Sequence, residues 1–220
     1  MRKNNVIKTL FVGLILISTC TGAFAQKTGL SLHLGGIFPA GDFKTPKISL
    51  QSGTATVDGS TTTGASLGLR YNVKLPLGFN VFAHAELVWN SLDKETKDQY
   101  KEISKTIPQY VNVPLFAGVR YHLSLFKIVG IYGEAGLGAN ILMKTREGWK
   151  DNIVKYKNST KFATEFGVGI TAFNFVSLGI HYYLLGDHTI SVKEQDVPTQ
   201  VISDENINVR MWALKLAILF

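Results

Sequence analysis

Nine ionisable side chains fall on one face of alternating segments: His33, Arg70, His84, Glu86, Arg120, Glu134, Glu165, His181 and Lys215. Three are carboxylates and three are strong bases. Such a set can form ion pairs, carry protons or gate a pore. If that face lines a narrow interior, where side chains leave little free space, the structural alternative is an ion-pair plug built from Arg70, Glu86, Arg120, Glu134, Glu165 and Lys215. Imidazoles are common metal ligands. Here His33, His84 and His181 come from different segments without ligand spacing, so no metal or cofactor is expected. Asp187, His188 and Ser191 offer the residue types of a hydrolytic site at an outer rim. A string this short arises readily by chance, and a solvated loop is the simpler reading. No catalytic residue and no enzymatic activity are expected.

Two further stretches carry charge in blocks. Residues 143 to 161 hold Lys144, Arg146, Lys150, Lys155, Lys157 and Lys161 against two acids, while 186 to 206 hold five acids against Lys193. The basic stretch suits a polyanion such as lipopolysaccharide phosphates, with Lys144, Arg146, Lys150, Lys155 and Lys157 as the contact set. The acidic stretch suits a basic or divalent-cation partner. Packing of the two stretches on each other is the structural alternative. Residues 91 to 107 mix both signs, as on a solvated surface or a short helix. Thr61 reads as an exposed loop residue.

Arg2, Lys3 and Lys8 precede an apolar run from Leu10 to Ile17, and Ala23-Phe24-Ala25 follows, the pattern of a secretory signal cleaved before Gln26. Residues 1–25 are therefore expected to be removed, leaving one domain over 26–220. The single cysteine, Cys20, lies within that leader, so the mature protein would have neither thiol nor disulfide. A lipoprotein reading would make Cys20 the first residue, but Thr19 is large for that cleavage site. Discarding three bases and no acid lowers the formal charge from +7 to +4, which is modest for a nucleic-acid binder, and no nucleic-acid partner is expected.

The elements that must position these groups are strands. After the leader no stretch reaches the roughly 18 to 20 apolar residues that a spanning helix needs. Period-two alternation instead recurs in eight segments, near 29–38, 63–73, 79–90, 109–121, 129–142, 161–173, 176–185 and 207–220. In the third, Phe79, Val81, Ala83, Ala85, Leu87 and Trp89 share one face, and His84 and Glu86 lie on the other. Short connections alternate with long polar ones. This asymmetry belongs to an up-and-down transmembrane barrel with periplasmic turns, extracellular loops and both termini periplasmic. His122 is expected in one of the short turns.

A soluble lipocalin-like barrel also has eight strands, but it would not bury six full charges behind a continuous apolar exterior. Phe79 and Trp89, ten positions apart, would span roughly 25 Å in a tilted strand, matching the height between aromatic girdles. The expected fold is therefore all-β, an eight-stranded antiparallel up-and-down transmembrane β-barrel.

Trp212, Leu214, Leu216, Ile218 and Phe220 alternate to a terminal aromatic, which resembles the signature read by the barrel assembly machinery and marks Phe220 as an assembly signal. Together with Gly35-Gly36-Ile37-Phe38-Pro39-Ala40-Gly41-Asp42-Phe43, Tyr110-Val111-Asn112-Val113-Pro114-Leu115 and the glycine-spaced fifth and sixth segments, the chain resembles the PorT-like outer-membrane β-barrel family of the Bacteroidetes, of OmpA/OmpX-like architecture. The resemblance implies a barrel in a Gram-negative outer membrane and tolerance of Pro114 within a strand, with a bulge as its accommodation. It transfers no activity. No peptidoglycan-binding domain of the OmpA kind is expected after Phe220. The functional expectation is a plugged, non-enzymatic barrel serving envelope structure or partner binding, with outer-membrane lipids, lipopolysaccharide and surface proteins as partners. A secretion-system accessory role is the alternative, and a lipid-modifying enzyme the third.

Overall fold

The computed structural model describes residues 28–44, 47–51, 54–58, 61–92, 94, 97–98, 108–126, 128–146, 154–156, 158–173, 175–190, 192–194 and 205–220. Eight long strands form a closed antiparallel barrel: β1 (Thr28–Ala40), β4 (Gly64–Lys74), β5 (Phe79–Asn90), β6 (Pro108–Phe126), β7 (Val129–Arg146), β9 (Ser159–Ala172), β10 (Val176–Ile190) and β12 (Glu205–Leu219). Each barrel strand pairs with the barrel strands before and after it in the chain. Closure comes from β1 against β12, in a register that sets Leu32 opposite Ile218 and Leu34 opposite Leu216. Four short strands make two ribbons outside the barrel, β2 (Lys47–Gln51) with β3 (Thr54–Asp58) and β8 (Val154–Tyr156) with β11 (Val192–Glu194). The second ribbon joins the basic stretch to the acidic one, with Lys155 opposite Lys193.

Alternation decides the two faces. In β5, exposure switches at every residue, with Phe79 and Trp89 both 46% exposed and Asn80, Phe82, His84, Glu86, Val88 and Asn90 buried. The same pattern puts Leu67, Leu69 and Tyr71 of β4, Val119 and Tyr121 of β6, Phe166, Val168 and Ile170 of β9 and Trp212, Leu214 and Leu216 of β12 on the outside. An apolar exterior around buried charge is the inverse of a soluble barrel. Aromatic neighbours reinforce it, Phe79 with Tyr121 and Tyr182 with Trp212, at ring centroids 5.0 and 4.5 Å apart.

The interior is layered. Toward the long loops it is apolar, filled by Ile37, Val88, Leu92, Leu142, Ile207, Val209 and Met211. Phe43, on a 3-10 turn over Gly41–Phe43, is fully buried there, edge-on to Tyr110 at 5.5 Å. This apolar layer departs from the expected polar lumen. Thr61 is also not an exposed loop residue: it is 3% exposed, its N–H and hydroxyl both donate to the Phe43 carbonyl, and it bridges to Leu92. Turn and strand ends thus fold inward as a lid.

Three details differ from the sequence reading. His122 lies within β6 rather than in a turn, because the strand runs past the outward Leu123 and Leu125 to Phe126 and leaves a connection of only 127–128. Pro114 is accommodated without a bulge. Cα pairing between β5 and β6 lapses between Ala85↔Leu115 and Val88↔Asn112 and then resumes in the same register, while the β7 side stays continuous through Pro114↔Asn140. A residue without an N–H interrupts one ladder only. Register shifts fall instead at the end of β6, between Ser124 and Phe126, and in β10, between Leu184 and Asp187, where Gly186 adopts φ +90°. Beyond it β10 pairs only with β12, since its ladder to β9 ends at Leu184↔Thr164. Among the described residues of 91 to 107, Lys94, Lys97 and Asp98 are helical.

Candidate functional site in the barrel interior

Register brings the charged side chains together below the apolar layer. Arg120 and Glu134 are direct cross-strand partners on β6 and β7, and Arg70 of β4 lies opposite His84 of β5. Arg70 reaches across the lumen. Its Nη1 donates to Glu134 Oε2 and its Nη2 to Oε1, both at 2.8 Å, a bidentate fork of the kind guanidinium geometry favours. A longer bond of 3.4 Å runs from Nη2 to Glu165 Oε1. Arg120 Nε donates to Glu134 Oε2 at 2.6 Å, so Glu134 serves two guanidinium groups.

A second pair lies beside this hub. Lys215 Nζ is 2.8 Å from Glu86 Oε2, which also accepts from the Tyr183 hydroxyl at 2.7 Å. His84 stands between the two centres, with Nε2 3.8 Å from Glu86 Oε2 and Nδ1 3.7 Å from Glu165 Oε2. His33 packs on His84 at 5.0 Å between ring centroids, and His181 Nδ1 is 3.3 Å from Glu134 Oε1. Aromatic faces complete the packing: Arg70 lies over Phe82 and Arg120 over Tyr132, each 4.0 Å from the ring centroid. Three acids balance three bases, so the layer carries no net charge when the histidines are neutral.

Glycines make room for these side chains. Lys215 is flanked across both ladders by Gly35 and Gly179. A Cβ on Gly136, opposite Glu165, would come 2.9 Å from Glu165 Cγ; one on Gly167, opposite Glu134, would come 2.6 Å from His181 Nδ1 and 3.0 Å from Glu134 Cγ. Glycine spacing alone carried little information in the sequence. Its meaning depends on which residue each glycine faces.

Chemically the layer is a network of ion pairs in which Glu86 Oε1, Glu165 Oε2 and His181 Nδ1 are buried without a hydrogen bond among the described residues. Glu134, Glu165 and His181 place one ligand atom each within 4.8 Å of one another. Arg70 and Arg120 already take both Glu134 oxygens and one of Glu165, so a cation would have to displace guanidinium groups, and the donor set does not fit a metal. Asp187 and His188 of the rim trio do not converge either. The β10 bulge puts Asp187 outside, accepting from Asn208 Nδ2, and His188 inside, bonded to the Leu185 carbonyl at 2.9 Å and 3.1 Å from Asn140 Nδ2. Ser191 lies outside the described residues.

Of the basic stretch, Lys144 and Arg146 continue the β7 backbone and Lys155 lies in β8, while Lys150 and Lys157 lie outside the described residues, as does the leader, 1–25. Phe220 follows β12 with its side chain 67% exposed and its N–H donating to the Leu30 carbonyl at 2.8 Å.

At the short-turn end, below the ionic layer, lies a vestibule of about 170 Å3 lined by polar and apolar side chains. Sequence parity placed several of its side chains inside, but which end of the lumen stays open was not legible, because that depends on where the large side chains meet.

No protein-family model matches the chain, and no curated protein matches it in sequence. In fold it is similar to Neisserial surface protein A, NspA, at 12% identity over 87% of this chain and 95% of that one, with a TM-score of 0.50. It is also similar to the outer membrane protein OprG from Pseudomonas aeruginosa, at 12% identity over 88% and 96% of the two chains, with a TM-score of 0.51. The chain therefore has the closed eight-stranded barrel fold of outer-membrane proteins. The PorT-like resemblance finds no counterpart in these comparisons.

Proposed function

We propose that this chain is an integral outer-membrane barrel with a plugged lumen, acting without catalysis in envelope structure or partner binding through its long-loop end. The observation that carries this reading is the doubly filled interior, an apolar layer under Phe43 above a neutral network of Arg70, Arg120, Lys215, Glu86, Glu134 and Glu165. A conducting barrel needs a continuous wet path, and eight strands leave room for little beyond side chains. Termini and short turns would face the periplasm, with Phe220 read by the assembly machinery. Lys144, Arg146, Lys150, Lys155 and Lys157 would meet lipopolysaccharide phosphates outside. The test is reconstitution of the purified protein in planar bilayers beside a porin. Silence at high protein density, with heat-dependent gel migration and resistance to alkaline extraction, is expected. Steady ohmic channels would remove the plug, and recovery in a soluble fraction would remove the membrane assignment.

A secretion accessory role is the second reading. Two of the segments that carry the PorT-like resemblance meet at the barrel mouth, where Phe43 of one packs on Tyr110 of the other. Affinity capture from membranes tests it, since co-purified secretion components would favour this role over a purely structural one.

A further inference from the structure

The vestibule at the short-turn end has a chemistry unlike the layer above it. Its lining includes Lys74, Arg120 and His122, with the neutral groups of Asn72, Asn80 and Thr171, and among the described residues it contains no carboxylate. Every acid of the interior network lies deeper, with Glu134 bound to Arg120. Arg120 therefore faces two ways: its Nε and Nη2 both lie 2.6 Å from Glu134 Oε2, while the side chain keeps 13% of its exposure and lines the vestibule wall. Lys74, at the end of β4, is exposed. His122 is held in place by its Nε2 contact with Thr171 Oγ1 at 2.7 Å, and Asn72 by its bond to Ser31 Oγ at 3.1 Å.

We propose that this vestibule is a binding site for a small free oxyanion of the phosphate class. The Lys74 ammonium, the edge of the Arg120 guanidinium turned away from Glu134, the His122 imidazole, and amide and hydroxyl groups converge on a space of about 170 Å3, which takes a tetrahedral oxyanion with part of its water shell. A lipid phosphate is the other source of that chemistry. The vestibule is enclosed by the ends of β1, β4, β5, β6, β9, β10 and β12, so headgroups outside the barrel wall reach it poorly, and the free ion is the occupant.

The probe is inorganic phosphate, titrated calorimetrically into the folded barrel in zwitterionic nanodiscs at constant ionic strength set by chloride. Amide shifts are followed in parallel. Saturable binding is expected, with shifts concentrated at Asn72, Lys74, His122 and Thr171. Lys74→Gln should weaken binding about five- to tenfold and Lys74→Arg should retain it, whereas Lys94→Gln, remote in a long loop, should change nothing. Asn72→Asp, which puts a carboxylate in the same wall, should also abolish saturation and serves if Lys74→Gln fails to fold. Absence of saturation in the native chain, equal affinity in Lys74→Gln, or shifts that arise only when anionic lipid replaces the zwitterionic lipid would each overturn the proposal. The first two outcomes leave the plugged-barrel reading intact, because bilayer silence is measured separately.

Discussion

Glu134 and Glu86 answer to different neighbours, and this separates the effects of removing their partners. Arg70 and Arg120 share Glu134, so Arg120→Ala leaves it a bidentate guanidinium; Arg70→Ala takes away that fork and also the one guanidinium bond to Glu165. Breaking a buried pair costs on the order of 3 to 5 kcal/mol when the survivor is dry. Unfolding in denaturant, followed by gel migration, is therefore expected to rank Arg70→Ala well below Arg120→Ala in stability. Equal losses would show that the network does not act through Glu134. At the second centre, Lys215→Met leaves Glu86 with the Tyr183 hydroxyl and His84. Adding Glu86→Gln should recover much of that loss, and a double-mutant cycle with no coupling would dissociate the pair.

Glycine marks where one strand approaches another. Gly186 has φ +90°, and a Cβ there would stand 2.7 Å from Lys161 Cβ and 2.9 Å from the Phe162 carbonyl oxygen. Gly133 faces outward with nothing within 4 Å. Gly186→Ala is expected to cost about 1 to 3 kcal/mol through strain and contact, and Gly133→Ala to be neutral or slightly stabilising. A stability loss for Gly133→Ala equal to that for Gly186→Ala would contradict this account. The eight long strands were legible because alternation reports burial directly, and their expected limits differ mainly at the long-loop ends. The bulge in β10 was not: it flips parity after Leu185 and so turns His188 inward and Asp187 outward, which no period-two count anticipates. Inward charges were legible from parity alone. Their pairing was legible only where strands are sequential, as for Arg120 and Glu134, whereas Arg70 to Glu134 and Lys215 to Glu86 cross the lumen and depend on shear and side-chain length. The apolar lid escaped notice because Phe43 belongs to a turn, outside any alternating segment.

Across the whole barrel, the layers act in series along the axis. Ions entering from the short-turn end meet an open vestibule, then paired charges that occupy the lumen, then an apolar layer closed by Phe43 and held by Thr61. Barriers in series add, so thinning one leaves the other in control. Phe43→Ala opens a space at the mouth but leaves Arg70, Glu134 and Arg120 across the lumen; Arg120→Ala loosens the ionic layer but leaves the apolar lid dry. Each single variant is expected to stay silent in planar bilayers, while Phe43→Ala combined with Arg120→Ala should show small, cation-preferring currents, because Glu134 would then face water with one guanidinium fewer. Phe43→Ala should also destabilise the barrel by about 3 to 5 kcal/mol, as expected for emptying a buried aromatic site. Steady conduction in Phe43→Ala alone would mean that the ionic layer is permeable and that the lid is the sole seal. Conduction in Arg120→Ala alone, with unchanged unfolding, would assign those charges to a gate.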